Sequence, residues 1–174
     1  MMLRRNIAFG FTTLLLLVNP ILATAQQPPQ SALEEVRDKQ RALLLVFRSR
    51  VLDATDNEHE IIDQVLKADP EPQGRNRWVY GQMAKKLNSY IKKYGSLKPA
   101  HDLNEADYVI YFNLVEYRRI LNTIYPFGEL FVIVKGSPDT QKPPRVIWKA
   151  KKILWAADAI GDLIKELKFV RGQS

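Results

Sequence analysis

Arginine and aromatic side chains are concentrated in two short segments of the chain, Arg75–Tyr80 and Tyr117–Arg119. Arginine binds phosphate or carboxylate groups through paired N–H donors, and planar rings beside it add a surface for sugars or other flat groups. Together with the four lysines of the helix predicted below, these segments predict a basic and aromatic binding surface. Its candidate residues are Arg75, Arg77, Trp78, Tyr80, Arg118 and Arg119. The alternative is a helix whose lysines are solvated and whose Trp78 packs inward.

Two carboxylates suggest a second kind of chemistry. Glu116 and Glu129 close the adjoining ends of two predicted strands and could face each other, as the acid pair of a glycoside hydrolase does. The alternative is that both are solvated carboxylates at strand ends. No serine lies in a nucleophile elbow, and no glycine-rich phosphate loop is present, so no sequence motif supports an enzyme.

Metal-ligating residues are sparse. His59 and His101 are the only histidines, they lie in separate segments, and cysteine is absent, which argues against a zinc site. The acidic cluster Asp53–Asp63 lacks the glycine and the terminal glutamate of an EF-hand loop. Acidic residues are also favoured at the start of a helix, where the dipole stabilises them. We therefore expect neither a metal nor a cofactor.

The N-terminus has the layout of a secretory signal peptide. Arg4 and Arg5 precede an apolar run, Ile7–Val18, and the small-residue site Ala23-Thr24-Ala25 follows it. The pattern predicts residues 1–25 as a signal peptide with cleavage after Ala25. The run is shorter than the roughly 20 apolar residues of a membrane span, so none is expected after cleavage.

Export and composition together restrict the partners. The chain contains no cysteine, which excludes both disulfides and a lipidated N-terminal cysteine, and a periplasmic or secreted location is expected. The net charge of the whole chain is +7, and signal cleavage removes two arginines and no acidic residue. An exported basic protein is more suited to an anionic envelope polymer or an envelope protein than to nucleic acid.

Hydrophobic periodicity predicts a single domain over residues 43–171, after a mobile leader with a possible short helix over residues 26–42. An apolar run over 43–52 favours a buried strand, although one long helix from Ser31 to Leu52 is the competing interpretation. A capping box at Thr55–Glu58 predicts a helix, which the loop Asp69–Gly74 ends. The remaining predictions are a helix over 77–94 ended by Gly95, strands over 106–117, 128–135 and 145–151, and a helix over 156–169.

Three successive strands predict an antiparallel meander, which the first strand joins by a crossover connection. The fold class is therefore α/β (α+β), with one mixed, largely antiparallel sheet of about four strands covered by helices. The predicted core comprises Val109, Tyr111, Leu130, Val132, Ile147, Ile160 and Leu167.

Three segments of the C-terminal half carry a resemblance, namely Glu105–Tyr111, Gly128–Val134 and Val146–Lys149. The order of an acid-Ala-Asp-Tyr strand, a Gly-x-Leu strand, a Val-Ile-Trp strand and a terminal helix resembles small exported bacterial domains. More distantly, it is similar to envelope accessory domains of the TolB N-terminal and curli-secretion lipoprotein type. The resemblance implies a mixed sheet and a non-catalytic envelope role, whereas the missing lipidated cysteine departs from the lipoprotein members.

Overall fold

Six strands and three α-helices make up the part of the chain that the computed structural model describes, residues 32–49, 57–72, 74–136, 141–150 and 152–173. The predicted signal peptide lies outside these residues. The elements are, in chain order, a 3₁₀ helix Ala32–Val36, β1 Arg41–Phe47, α1 Glu58–Leu66, α2 Asn76–Tyr94, β2 Lys98–Pro99, β3 Tyr108–Ile120, β4 Thr123–Val134, β5 Arg145–Lys149, β6 Leu154–Trp155 and α3 Ala156–Val170.

The strands form one mixed sheet in the order β2-β1-β3-β4-β5, and β6 pairs with β4 beyond the end of β5. β1 runs parallel to β2 and β3, whereas β3, β4 and β5 form the expected antiparallel meander. The α+β prediction is therefore confirmed, with a higher strand count because β2 and β6 add two residues each. The strand prediction is also confirmed for residues 43–47, and the continuous helix to Leu52 is wrong.

Side-chain alternation divides the core between the two faces of the sheet. Leu44 and Val46 of β1 face α2 and α3, whereas Leu43 and Leu45 face α1. Buried strands with apolar side chains on both faces need helices on both sides, which explains the continuous run of leucines in β1. Of the predicted core, Ile147 is half-buried and the remaining six residues are buried.

The long helix α2 positions most of the basic side chains discussed below. Its buried residues recur at three or four positions, and they are Val79, Met83, Leu87 and Tyr90. Gly95 adopts φ +64° and donates its N–H to Ile91 at 2.8 Å, which ends the helix as predicted. For α1, Thr55 of the predicted capping box lies outside the described residues, and the helix begins at Glu58 after Asn57.

β3 and β4 form a hairpin longer than predicted. A two-residue turn, Leu121-Asn122, joins them, and cross-strand pairs run from Ile120–Thr123 back to Tyr108–Val134 with a bulge near Leu114. The sequence analysis left residues 118–127 outside any strand because Pro126 and Gly128 interrupt the apolar alternation there. Pairing across the hairpin overrides that weak local pattern.

The two ends of the described chain are tied together by arginines. The Arg171 guanidinium donates to the carbonyl oxygens of Val36, Lys39 and Ser96 at 3.0, 2.6 and 2.6 Å. Arg37 in turn donates from Nε to the carbonyl of Val170 at 2.7 Å. The 3₁₀ helix, whose Leu33 and Val36 are buried, is thereby fixed against the end of α3.

Candidate binding groove

The α2 candidates divide between two flanks of the helix. Arg75 and Trp78 are three residues apart and share a flank with Gln82, whereas Arg77 points elsewhere and Tyr80 packs partly against the core. Trp78 is 48% exposed, so the alternative in which it packs fully inward is not what the structure has. Only Arg75 and Trp78 therefore belong to one continuous surface of α2.

The hairpin candidates Arg118 and Arg119 lie on opposite faces of β3. Arg118 donates from Nε to Glu116 at 2.7 Å, and its guanidinium carbon lies 4.5 Å from the Phe127 ring centroid. Arg119 lies on the other face of β3, the same face as Tyr117, which packs towards the α2 side of the sheet. Burial raises the pKa of the Tyr117 phenol, and the nearby Arg75 partly offsets that effect. The six predicted residues thus do not converge on one site.

A groove of about 530 Å³ lies between α2 and α3, on the flank of α2 that carries Arg75 and Trp78. Its apolar floor includes Tyr90, Trp155 and Ile164. Among the described residues that line it, four are lysines and none is acidic; the lysines are Lys85, Lys86, Lys93 and Lys168. We call this feature the α2–α3 groove.

Two lysine side chains place their positive charges beside the ring of Tyr94, which lines the groove. The ammonium groups of Lys93 and Lys168 lie 4.9 and 5.1 Å from the centroid of the Tyr94 ring. Hydrogen bonding from Lys93, followed by that from Lys168, lowers the pKa of the Tyr94 phenol below its usual value. A positive potential that stabilises a phenolate also stabilises a bound anion.

The other end of the groove is held in place by contacts between the helices and the sheet. Lys86 Nζ donates to the carbonyl oxygen of Ala157 at 2.7 Å and so joins α2 to the start of α3. Trp155 packs edge-on against Tyr125 with ring centroids 5.1 Å apart. These contacts fix the floor, and Lys85, Lys93 and Lys168 complete the basic lining.

None of the six candidate binding residues lines this groove; the sequence analysis pointed to the basic helix that contributes its α2 side and missed the α3 side. Lys85, Lys86 and Lys93 belong to the basic helix already identified, but Lys168 and Trp155 come from the C-terminal segment. The sequence places Lys168 beside the predicted apolar stripe of the last helix. That pattern does not identify the helix against which the last helix packs.

The carboxylate candidates lie on the same face of the hairpin. Glu116 pairs in register with Phe127, so Glu129 is the next residue of β4 on that face. Each carboxylate has a partner, because Glu116 accepts from Arg118 and Glu129 accepts from Asn113 Nδ2 at 3.1 Å. Asn113 is buried, and it also accepts from the backbone N–H of Ser49 at 2.9 Å. Each carboxylate is thus engaged by a neighbouring side chain of β3.

A second cleft, of about 820 Å³, lies between α1 and the end of β1. Its lining mixes both signs of charge, and Lys67 pairs with Asp63 at 2.7 Å within it. Within the described ranges, no group of three or more histidine or acidic side chains could hold a metal ion. The uniformly basic lining distinguishes the α2–α3 groove from this cleft.

Comparisons of the whole chain with protein-family models, with curated proteins and with solved structures found no match. The resemblance to exported envelope domains therefore stays a prediction. Within residues 32–173, apart from the short gaps given above, no helix is long and apolar enough to cross a membrane.

Proposed function

We propose that this protein is an exported, non-enzymatic module of the bacterial envelope that binds an anionic partner in the α2–α3 groove. The partner is an anionic polymer or the acidic surface of an envelope protein. The observation that carries the proposal is the lining of the groove, in which four lysines surround an apolar floor without an acidic residue among those described. Such a site favours a ligand with spaced negative charges and an apolar or planar backbone.

The lysines of the groove are suited to binding because most of them are not engaged in ion pairs. The described ion pairs of lysine, Lys67–Asp63 and Lys165–Asp162, both lie outside the groove. Lys93 and Lys168 place their ammonium groups 4.9 and 5.1 Å from the Tyr94 ring centroid, so an anion bound at this end of the groove would be attracted to both. Arg75 and Trp78 extend the same basic and aromatic flank beyond the groove.

The extracytoplasmic part of the proposal depends on the N-terminal sequence. The apolar run Ile7–Val18 and the Ala23–Ala25 site support export. In the envelope, polymers rich in phosphate or carboxylate groups supply the counter-charge that a basic groove requires. The resemblance to envelope accessory domains supports the same role.

Binding to dextran sulfate, a model anionic polymer, tests the groove. We expect the wild-type protein to bind dextran sulfate and not neutral dextran, and to lose affinity as salt is raised. Replacing Lys93 and Lys168 with glutamate should weaken binding by at least about tenfold, or about 1.4 kcal/mol. Quenching of tryptophan fluorescence is a convenient measurement because Trp155 lies in the groove.

A matched control has the same change of charge outside the groove. The variant with Lys92→Glu and Lys149→Glu alters two exposed lysines that do not line it. This control should retain affinity within about threefold, because only the overall field changes. Equal losses in both double variants would show that binding depends on net charge alone and would refute the groove as the site.

The alternative function, a carboxylate-based hydrolase acting through Glu116 and Glu129, stays a prediction. The hydrogen bonds of both carboxylates favour a structural role, and the α2–α3 groove carries the stronger argument for function.

A further inference from the structure

The turn of the β3–β4 hairpin exposes an unusual amount of apolar surface. Leu121 is 90% exposed, and Ile120 and Ile124 are 50% and 49% exposed. These are three of the six large apolar side chains that the described part of the chain exposes most. We call residues 120–124 the hairpin tip. Isolated exposed apolar residues are ordinary, but a cluster at the end of a projecting element indicates an interaction surface.

The backbone of Leu121 is also unfavourable for its side chain. Its φ is +54°, in the left-handed region where a Cβ atom is crowded and where glycine or asparagine is usual. The side chain contributes nothing to the core at 90% exposure. Neither folding nor the turn geometry therefore accounts for a leucine at this position, which points to a contact made outside the molecule.

The hairpin projects beyond the rest of the sheet. From Tyr117–Pro126 to Ile120–Thr123, the cross-strand pairs involve β3 and β4 alone, whereas β6 pairs with β4 only at Phe127 and Gly128. Tyr117 packs against the core and Tyr125 packs against Trp155, so the free part of the hairpin begins after the Arg118–Tyr125 pair. From that pair to Leu121 is three residue steps, or roughly 10 Å at the usual rise of a strand. That length matches the depth of roughly 5 to 10 Å at which interfacial apolar side chains reach the boundary of the acyl chains.

Basic side chains lie immediately behind the tip. Arg118 and Arg119 precede it, and the segment Tyr117–Tyr125 contains no acidic residue. Arg118 is held along the strand by Glu116 and the Phe127 ring, and Arg119 is exposed. Apolar residues at the end and cations one step behind match the depth profile of an anionic membrane surface.

A membrane surface suits the tip better than a protein partner. A stable protein interface buries about 800 Å² on each side, which is more than three side chains of a narrow hairpin provide. A bilayer requires no shape complementarity, and a few apolar residues with adjacent cations suffice for reversible binding.

We propose that the hairpin tip inserts into the surface of an anionic membrane, with Leu121 deepest and Arg118 and Arg119 at the headgroups. This membrane contact is separate from the α2–α3 groove and does not depend on the function proposed for it. The protein would remain removable from the membrane, because only the hairpin tip enters the lipid.

Vesicle co-sedimentation of the exported protein tests this proposal. We expect binding to phosphatidylcholine vesicles containing about one-third phosphatidylglycerol and much weaker binding to phosphatidylcholine alone. Leu121→Gly removes the deepest apolar side chain and relieves the left-handed backbone, so the thermal midpoint should stay equal or rise. Its partitioning into anionic vesicles should nevertheless fall at least about tenfold.

The matched control is Phe169→Ala, which removes another exposed apolar side chain, 74% exposed, near the end of α3. It should bind vesicles within about twofold of wild type, because Phe169 lies far from the hairpin tip. Equal vesicle binding by wild type and Leu121→Gly would overturn the proposal, as would no wild-type binding to either vesicle. A dimer on size-exclusion chromatography that Leu121→Gly abolishes would instead assign the tip to a second copy of the chain.

Discussion

Alkaline pH is expected to destabilise this fold through two buried tyrosines, Tyr108 of β3 and Tyr111 three residues later. Both side chains are fully buried, and burial is the main cause that raises the pKa of each phenol well above its ordinary value of about 10. The unfolded chain ionises these phenols near pH 10, whereas the folded protein retains both protons. The stabilisation is thus complete below pH 10 and is lost as the pH rises towards the folded-state values.

The size of the effect follows from linkage. At pH 11 the unfolded state gains about 1.4 kcal/mol from each tyrosine that stays protonated in the native state, or about 3 kcal/mol in total. This loss is a large part of the stability of an ordinary domain, 5 to 15 kcal/mol. Tyr111→Phe removes half of it and forfeits the phenol's contact with Ser49 and its long hydrogen bonds to Asn113 Oδ1 at 3.3 Å and to the Phe47 carbonyl at 3.5 Å.

Urea unfolding followed by circular dichroism at pH 8 and pH 11 is the appropriate assay. Wild type should lose about 1.4 kcal/mol more than Tyr111→Phe over this interval, because lysine deprotonation affects both proteins equally and cancels in the difference. Phenolate absorbance provides an independent measurement, since Tyr108 and Tyr111 should titrate only on unfolding. Parallel stability losses in the two proteins would refute the reasoning and show that Tyr111 ionises normally in the native state.

Two further predictions concern packing and export. A Cβ added at Gly128 would lie 2.1 Å from the carbonyl oxygen of Asn113 and 2.7 Å from the Phe112 ring, so Gly128→Ala should lower the free energy of unfolding by about 3 kcal/mol or more in chemical denaturation. A Cβ added at Gly81 of α2 meets nothing within 4 Å, so Gly81→Ala should instead raise the free energy of unfolding by about 0.5 to 1 kcal/mol. Similar stabilities for the two variants would contradict the packing argument. N-terminal sequencing of the exported protein should begin at or near Gln26, and an intact Met1 on a cytosolic product would contradict the signal-peptide prediction.

The elements that the sequence predicted well are those with long, strong hydrophobic periods. α2 and α3 were predicted within two residues of their ends, because their apolar stripes run for several turns and Gly95 closes α2. β2 and β6 were missed, since a two-residue strand is defined by its partner and leaves no period in the sequence. The far half of the hairpin was missed for a related reason, because cross-strand pairing, rather than alternation, determines it.

The candidate site was only half accessible to sequence reasoning. The arginine-rich segments were grouped by composition, but strand alternation sends Arg118 and Arg119 to opposite faces and helical geometry separates Arg77 from Trp78. The lysines of α2 belong with Lys168, a residue of a different helix that only the tertiary fold brings within reach of Tyr94. The clustered charges in the sequence therefore predicted a basic surface on α2, but not the α3 residues that form the other side of the groove.

The arginine contacts hold the two ends of the described chain together at one end of the molecule. Arg171 binds the segment before β1 to the end of α3, near Tyr108, the first residue of β3. The hairpin tip lies at the opposite end of that strand. Twelve residue steps along β3 amount to roughly 40 Å. Both ends of the described domain therefore leave from the pole remote from the hairpin. A reporter domain fused at either end would extend away from a surface that the hairpin touches, and a short linker between the two ends would permit circular permutation without crossing the sheet.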